Sequence, residues 1–141
     1  MDFALTKEHL EIKQRVREYC ETKILPLMPE LDAKMEFRRE FIDDFGKFGW
    51  MGMTYPSKYG GSEGDTIGYA IAKEEIARVN PALSLNLDTH YMAMEAIYRY
   101  GTEDLRQRFL PKLATGKLLS AFTLTEREAG SDAAAVQCTA I

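Results

Sequence analysis

Near the end of the chain, residues 119–132 read LSAFTLTEREAGSD, and their types suit the edge of a flat, heteroatom-rich ring. Thr123 and Thr125 alternate with Phe122 and Leu124. An extended backbone there offers hydroxyl, N–H and C=O groups in a row, with apolar side chains beside them. The turn that follows holds Gly130, which permits close backbone approach, and Ser131, a hydroxyl donor for an anionic or amide-bearing group. A plain polar β-turn over 126–132 has the same composition, and spacing alone leaves both readings open.

Asp88 is the second candidate. It carries the only formal charge between Arg78 and Glu95, and it lies four residues after Ser84 and four before Met92. On a helix these three share a face, as in a cavity for a largely apolar ligand with one polar contact. A surface carboxylate, paired or solvated, satisfies the same pattern. His9 and His90 have no acidic or cysteine partner at ligand spacing and read as ordinary surface or core histidines. The GGSEG run at 60–64 follows an aromatic loop rather than a strand and lacks Gly-Lys-Ser/Thr, so it is not a phosphate loop.

The elements that must position these residues are mostly helical. Thr6 can cap a helix with apolar residues at Ile12, Val16, Tyr19, Cys20, Ile24 and Leu27, ended by Pro26 and Pro29. A second stripe of Phe37, Phe41, Phe45 and Phe48 reads as core and stops near Gly46 and Gly49. Residues 49–61, GWMGMTYPSKYGG, predict a structured loop, because Trp50, Met51, Met53, Tyr55 and Tyr59 are costly to leave in water. Asp65 or Thr66 starts a helix through Ile67, Ile71, Ile76 and Val79. Asn80-Pro81 breaks it and opens another over 81–99, apolar on nearly every side and therefore expected at the centre of a bundle. Thr102 caps a last helix, with Pro111 predicted to kink or split it and Gly116 to end it. Beyond Gly116 the period becomes two. Ser120, Phe122 and Leu124 fall on one strand face and Ala121, Thr123 and Thr125 on the other, and 134–141 alternate again as a second strand. The expected fold is mainly α, a helical bundle over 1–117 followed by the first one or two strands of an incomplete β-domain over 118–141.

The chain has 141 residues, 45% hydrophobic and 28% charged, enough for one domain with a real core. A net charge of −4 argues against nucleic acid as a partner. No apolar run approaches a membrane span and no targeting signal is visible, so a cytoplasmic location is expected. Cys20 and Cys138 match no metal spacing and read as free thiols.

The segments KYGG, EEIARVNPALSL, IYRYGTEDLRQRFLPKLATGKLLSAF and TLTEREAGSDAA, in this order, resemble the N-terminal part of an acyl-CoA dehydrogenase over essentially the whole chain. The resemblance implies a flavoenzyme of fatty acid metabolism with an N-terminal helical domain, a middle β-domain and a C-terminal four-helix domain. Such an enzyme removes the acyl α-proton and passes the β-hydride to N5 of FAD, giving the 2-enoyl-CoA. Its electrons go to an electron-transferring flavoprotein, and the complete enzyme is a homo-oligomer, a tetramer or dimer. Carried over, Phe122, Leu124 and Thr125 lie against the flavin, with Thr125 near N5 and O4. Ser131 contacts the CoA side of the substrate or the FAD pyrophosphate, and Ser84, Asp88 and Met92 line the acyl tunnel. Arg127-Glu128 stands where many relatives have Pro-Gly, which frees a backbone torsion and puts charge beside the cofactor loop. The family's catalytic glutamate comes from the C-terminal domain and has no counterpart here; neither Glu126 nor Glu128 replaces it. The chain is thus expected to be inactive alone. The rival readings are a non-catalytic helical interaction or assembly module and a small ligand-binding bundle using the Asp88 face. The eukaryotic version of the location would be the mitochondrial matrix.

Overall fold

The computed structural model describes residues 4–139. Helix α1 (Lys7–Tyr19) opens on a reciprocal cap: the Thr6 hydroxyl accepts from the His9 amide at 3.2 Å, and the Thr6 amide donates to His9 Nδ1 at 3.4 Å. A π turn, Cys20–Ile24, and a 3-10 turn, Leu25–Leu27, carry the chain into α2 (Met28–Lys34). The two prolines therefore do not end the helical path as expected. Pro29 falls in the first turn of α2, where no intrahelical donor is required. The left-handed Met35 closes that helix instead, at φ 52°.

Helix α3 (Arg39–Lys47) buries Phe41, Ile42 and Phe45. Phe37 precedes it and Phe48 caps it, both part-exposed, so the phenylalanine stripe is core only at Phe41 and Phe45. The aromatic loop over 49–61 is as structured as its composition requires, with Trp50, Met51, Met53, Tyr55 and Tyr59 all buried. Gly52 in that loop is a seat for the last helix, since a Cβ there would stand 2.5 Å from the Ala114 Cβ.

Asp65 caps α4 (Thr66–Val79), accepting from the Gly68 amide at 2.7 Å. Asn80 caps α5 (Pro81–Tyr100), accepting from the Leu83 amide at 3.0 Å. Replacing Asn80 with alanine orphans that donor and is expected to cost about 1 kcal/mol. Its check is a lower midpoint in thermal unfolding followed by circular dichroism. Helix α6 (Glu103–Ala114) runs through Pro111 without dividing. The proline stands within one turn of the helix end, and Leu110, Leu113 and Ala114 around it are buried and hold the last turn in place.

Helix α1 packs on α4, α4 on α5, and α5 on α6. One apolar cluster joins Val16, Ile24, Phe45, Met51, Ile76 and Leu87; a second joins Tyr55, Tyr59, Met94, Leu110 and Leu113. Glu75 crosses the α1–α4 interface with only 1% of its surface exposed. Arg17 grips it with two hydrogen bonds, Nε to Oε2 at 2.9 Å and Nη2 to Oε1 at 2.8 Å, and Arg78 Nε adds a third at 3.2 Å.

Helix α5 departs from expectation on one side. Leu83, Leu87 and Met94 are buried, yet Leu85 and Met92 are 61% and 48% exposed. An apolar helix face is therefore left uncovered. Both strands are also missing among the described residues. The backbone of 121–125 makes no hydrogen bond within the described residues, because a ladder needs a neighbouring strand and none lies alongside. The Glu126 amide and carbonyl instead pair with those of Ala129, at 3.1 and 3.3 Å, closing a tight turn. The Glu126 carboxylate then accepts from the Gln137 and Cys138 amides. Of the second predicted strand, Ala140 and Ile141 lie outside the described residues.

Candidate functional site

The uncovered face of α5 forms one side of a cleft of about 640 Å³. Asp88, Tyr91, Met92, Glu95, Ala96 and Arg99 supply that side; Tyr55 and Tyr69 come from the loop and α4, and Phe122 from the strip after Gly116. Asp88, Met92 and Phe122 are thus brought together; the four-residue spacing puts Asp88 and Met92 on one face, and no sequence pattern joins Phe122 to them. Ser84 is not among them. Its hydroxyl is buried and lies 3.4 Å from the Lys73 carbonyl, on the α4 side. Leu124, Thr125 and Ser131 are exposed and stand outside the cleft.

Asp88 is not free in this cleft. Its carboxylate is hydrogen-bonded to Lys73 Nζ, whose ammonium lies 5.7 Å from the Tyr69 ring centre. Tyr69 stacks on Tyr91 with ring centres 4.1 Å apart, a flat aromatic floor. Tyr91 Oη accepts from the Met53 amide at 2.6 Å and donates to the Trp50 carbonyl at 3.2 Å, fixing the floor to the buried loop. Tyr55 donates to Glu95 at 3.2 Å, and Glu95 is paired with Arg99. Burial, reinforced by Glu95, pushes the Tyr55 phenol well above its ordinary pKa, and burial does the same for Tyr69 and Tyr91. All three are therefore neutral hydroxyls at physiological pH. The Tyr69 hydroxyl is buried and has no partner among the described residues.

His90 lies between Asp88 and Met92 in sequence and points the other way, fully buried. Its Nδ1 is 3.3 Å from the Ser120 amide and 3.0 Å from Ser120 Oγ, while Nε2 is 3.3 Å from the Leu113 carbonyl. Burial pushes its pKa down to about 4, and the Arg39 cation acts in the same direction. His9 is also inward-facing, with Nε2 2.9 Å from Asp65. From the sequence, Tyr55 reads only as a loop core residue and His90 only as an ordinary histidine, and Tyr69, Tyr91, Glu95 and Arg99 were not singled out. Only Tyr91, Glu95 and Arg99 left a signal there, falling at four-residue steps on α5.

A family model described as the acyl-CoA dehydrogenase N-terminal domain matches residues 6–117. This chain belongs to the acyl-CoA dehydrogenase family. Among curated relatives, a short-chain-specific acyl-CoA dehydrogenase from Clostridium acetobutylicum is 37% identical over all of this chain and 38% of its own length. An acryloyl-CoA reductase (NADH) from Anaerotignum propionicum is 39% identical over all of this chain and 36% of its own. The solved structure of butyryl-CoA dehydrogenase from Megasphaera elsdenii superposes with a TM-score of 0.89 at 34% identity, covering 97% of this chain and 37% of that one. The chain spans well under half the length of the acyl-CoA dehydrogenases it matches. Its helical architecture is that of their N-terminal domain. Among the described residues no helix is long and apolar enough to cross a membrane.

Proposed function

We propose that this chain supplies one wall of the active site of an FAD-dependent acyl-CoA dehydrogenase, with residues 1–117 forming the helical domain and 118–141 the start of the β-domain. The observation that carries this reading is the open cleft itself. An acyl-CoA dehydrogenase segment leaves an apolar helix face uncovered beside a strip, 121–125, whose backbone groups have no partner among the described residues. Met92, Ala96 and Phe122 give that cleft its apolar surface, and Asp88, held by Lys73, gives it a polar end. These residues bind and orient the acyl chain in the proposal. Ser84, behind Asp88, acts only through the packing of α4 on α5.

The strip fits a flavin edge on its own chemistry. The N–H and C=O groups of 121–125 are unpaired among the described residues, Thr123 and Thr125 add hydroxyls, and Leu124 exposes an apolar side chain. Phe122, Leu124 and Thr125 would hold the isoalloxazine, with Thr125 donating toward N5 and O4 and so stabilising charge that builds there. Ser131, on the exposed turn, would meet the CoA or the FAD pyrophosphate. Bound FAD supplies the acceptor for the substrate's β-hydride. Acyl-CoA, an electron-transferring flavoprotein and further copies of the complete enzyme are the proposed partners, and the cytoplasm the proposed compartment.

A second reading, reduction of a 2-enoyl-CoA, draws on the 39% identity to the acryloyl-CoA reductase. The same cleft residues would serve it, since both directions pass through the same transition state. Which direction runs is decided by supplying the completed enzyme with an electron acceptor or a donor.

The catalytic base and the remaining cofactor contacts lie outside these residues in this proposal. The 141-residue chain alone is therefore expected to oxidise no acyl-CoA in the presence of an artificial dye acceptor and to bind FAD weakly or not at all. Measurable turnover by the isolated chain would contradict it.

A further inference from the structure

We propose that His90 is the positioning residue of the strip at 120–125, a neutral imidazole protonated on Nε2 that fastens Ser120 to the cleft helix α5. The assignment of the strip to flavin contact rests on the function proposed above; the latch itself rests on geometry. Both ends of the ring demand the same tautomer. The Ser120 amide can only donate, so the Nδ1 atom 3.3 Å away must present its lone pair. The Leu113 carbonyl can only accept, so Nε2, 3.3 Å from it, must carry the proton. Ser120 Oγ lies 3.0 Å from Nδ1 and 3.3 Å from the His90 carbonyl, a second tie between the same two residues.

This ring therefore joins three elements: α5, the last turn of α6 and the strip. His90 is two residues from Asp88 and two from Met92, which face the cleft, and Ser120 is two residues from Phe122, the strip's contribution to the same cleft. Between Ser120 and the Glu126–Ala129 turn, no other hydrogen bond holds the strip among the described residues. A displacement of α5 is thus passed to Phe122 and the threonines through one residue, His90, by its ring and its carbonyl. In the complete enzyme, the latch would set the flavin-facing edge in register with the acyl cleft. Protonation of Nδ1 would remove the acceptor and place two donors against each other.

The test uses nuclear magnetic resonance on the 141-residue chain at neutral pH. Long-range nitrogen–proton correlations of the imidazole are expected to show the neutral Nε2–H form for His90. In His90→Ala, Ser120 amide exchange is expected to quicken about tenfold, as for loss of one hydrogen bond. The Phe122 and Thr125 amide signals should move while those of Leu105 and Phe109 stay. His90→Asn, which keeps an acceptor near the Nδ1 position, should restore most of the Ser120 protection. A charged or Nδ1-protonated wild-type ring overturns the proposal. So does a folded His90→Ala whose Ser120 and Phe122 signals are unmoved, or a folded His90→Asn whose Ser120 amide exchanges about tenfold faster than in wild type. If His90→Ala fails to fold, the wild-type tautomer and His90→Asn still decide. A verified latch in a chain whose completed enzyme binds no flavin would overturn the functional reading alone.

Discussion

Replacing Glu75 with glutamine is expected to lower the unfolding free energy by about 2 kcal/mol. The reason is the asymmetry of a buried ion pair. The carboxylate stands at the α1–α4 interface with 2% of its side chain exposed, and three cations converge on it: Arg17 with two hydrogen bonds, Arg78 with one, and Lys13 at 3.8 Å. Deleting one partner of a fully buried pair costs roughly 3–5 kcal/mol. Arg17 and Arg78 each keep nearly half of their side chains in water, which softens the loss below that range, to about 2 kcal/mol. The guanidinium of Arg17, with that of Arg78, also holds the Glu75 carboxyl below its ordinary pKa. A carboxyl depressed on folding contributes its stability above the unfolded value, near 4.3, and loses it as pH falls through the lower folded value. Urea unfolding at pH 7 should therefore separate wild type from Glu75→Gln, and the gap should narrow below about pH 4. Equal midpoints at pH 7 would remove Glu75 from the fold's supports.

Acid should also act earlier, through His90. Burial holds this imidazole at about 4, against 6.5 for the free side chain. The unfolded chain thus takes up a proton that the folded chain refuses. Stability is complete above about pH 6.5, declines by about 1.4 kcal/mol per pH unit below it, and levels off near pH 4, a loss of about 3 kcal/mol. Arg39 is the charged group that adds to this effect. His90→Asn, which has no proton to gain, should show a flatter profile between pH 6.5 and 4 than wild type. Parallel profiles would mean that the ring titrates normally and is not the buried neutral group described above.

The helical part of the fold was legible because caps and periods agree. Thr6, Asp65, Asn80 and Thr102 each accept the backbone donor that their positions imply. The prolines were harder to read, because Pro29 falls in a first turn, where no donor is missed, and Pro111 in a last turn held in place by buried Leu110, Leu113 and Ala114. Ser84 shows the limit of a four-residue rule. Each such step advances the helix by about 40°, so the line from Ser84 through Asp88 to Met92 winds from the buried side to the exposed one. Ser84 ends 6% exposed and Met92 48%. The alternation after Gly116 was real as a pattern, but a strand exists only against a neighbour, and periodicity does not say whether one is present. Tyr55 and Tyr69 were out of reach for a different reason. They meet Tyr91 across the fold from separate segments, so no local spacing announces the floor they make.

The most direct test of the central proposal is to place residues 1–141 in front of the middle and C-terminal domains of the Megasphaera elsdenii butyryl-CoA dehydrogenase, in place of its matching segment. The purified protein should be yellow with bound flavin, and butyryl-CoA should bleach it. Thr125→Ala should weaken the bleaching more than the flavin binding. A folded fusion protein that carries no flavin, or flavin that no acyl-CoA reduces, would contradict the proposal that this chain forms a wall of that active site.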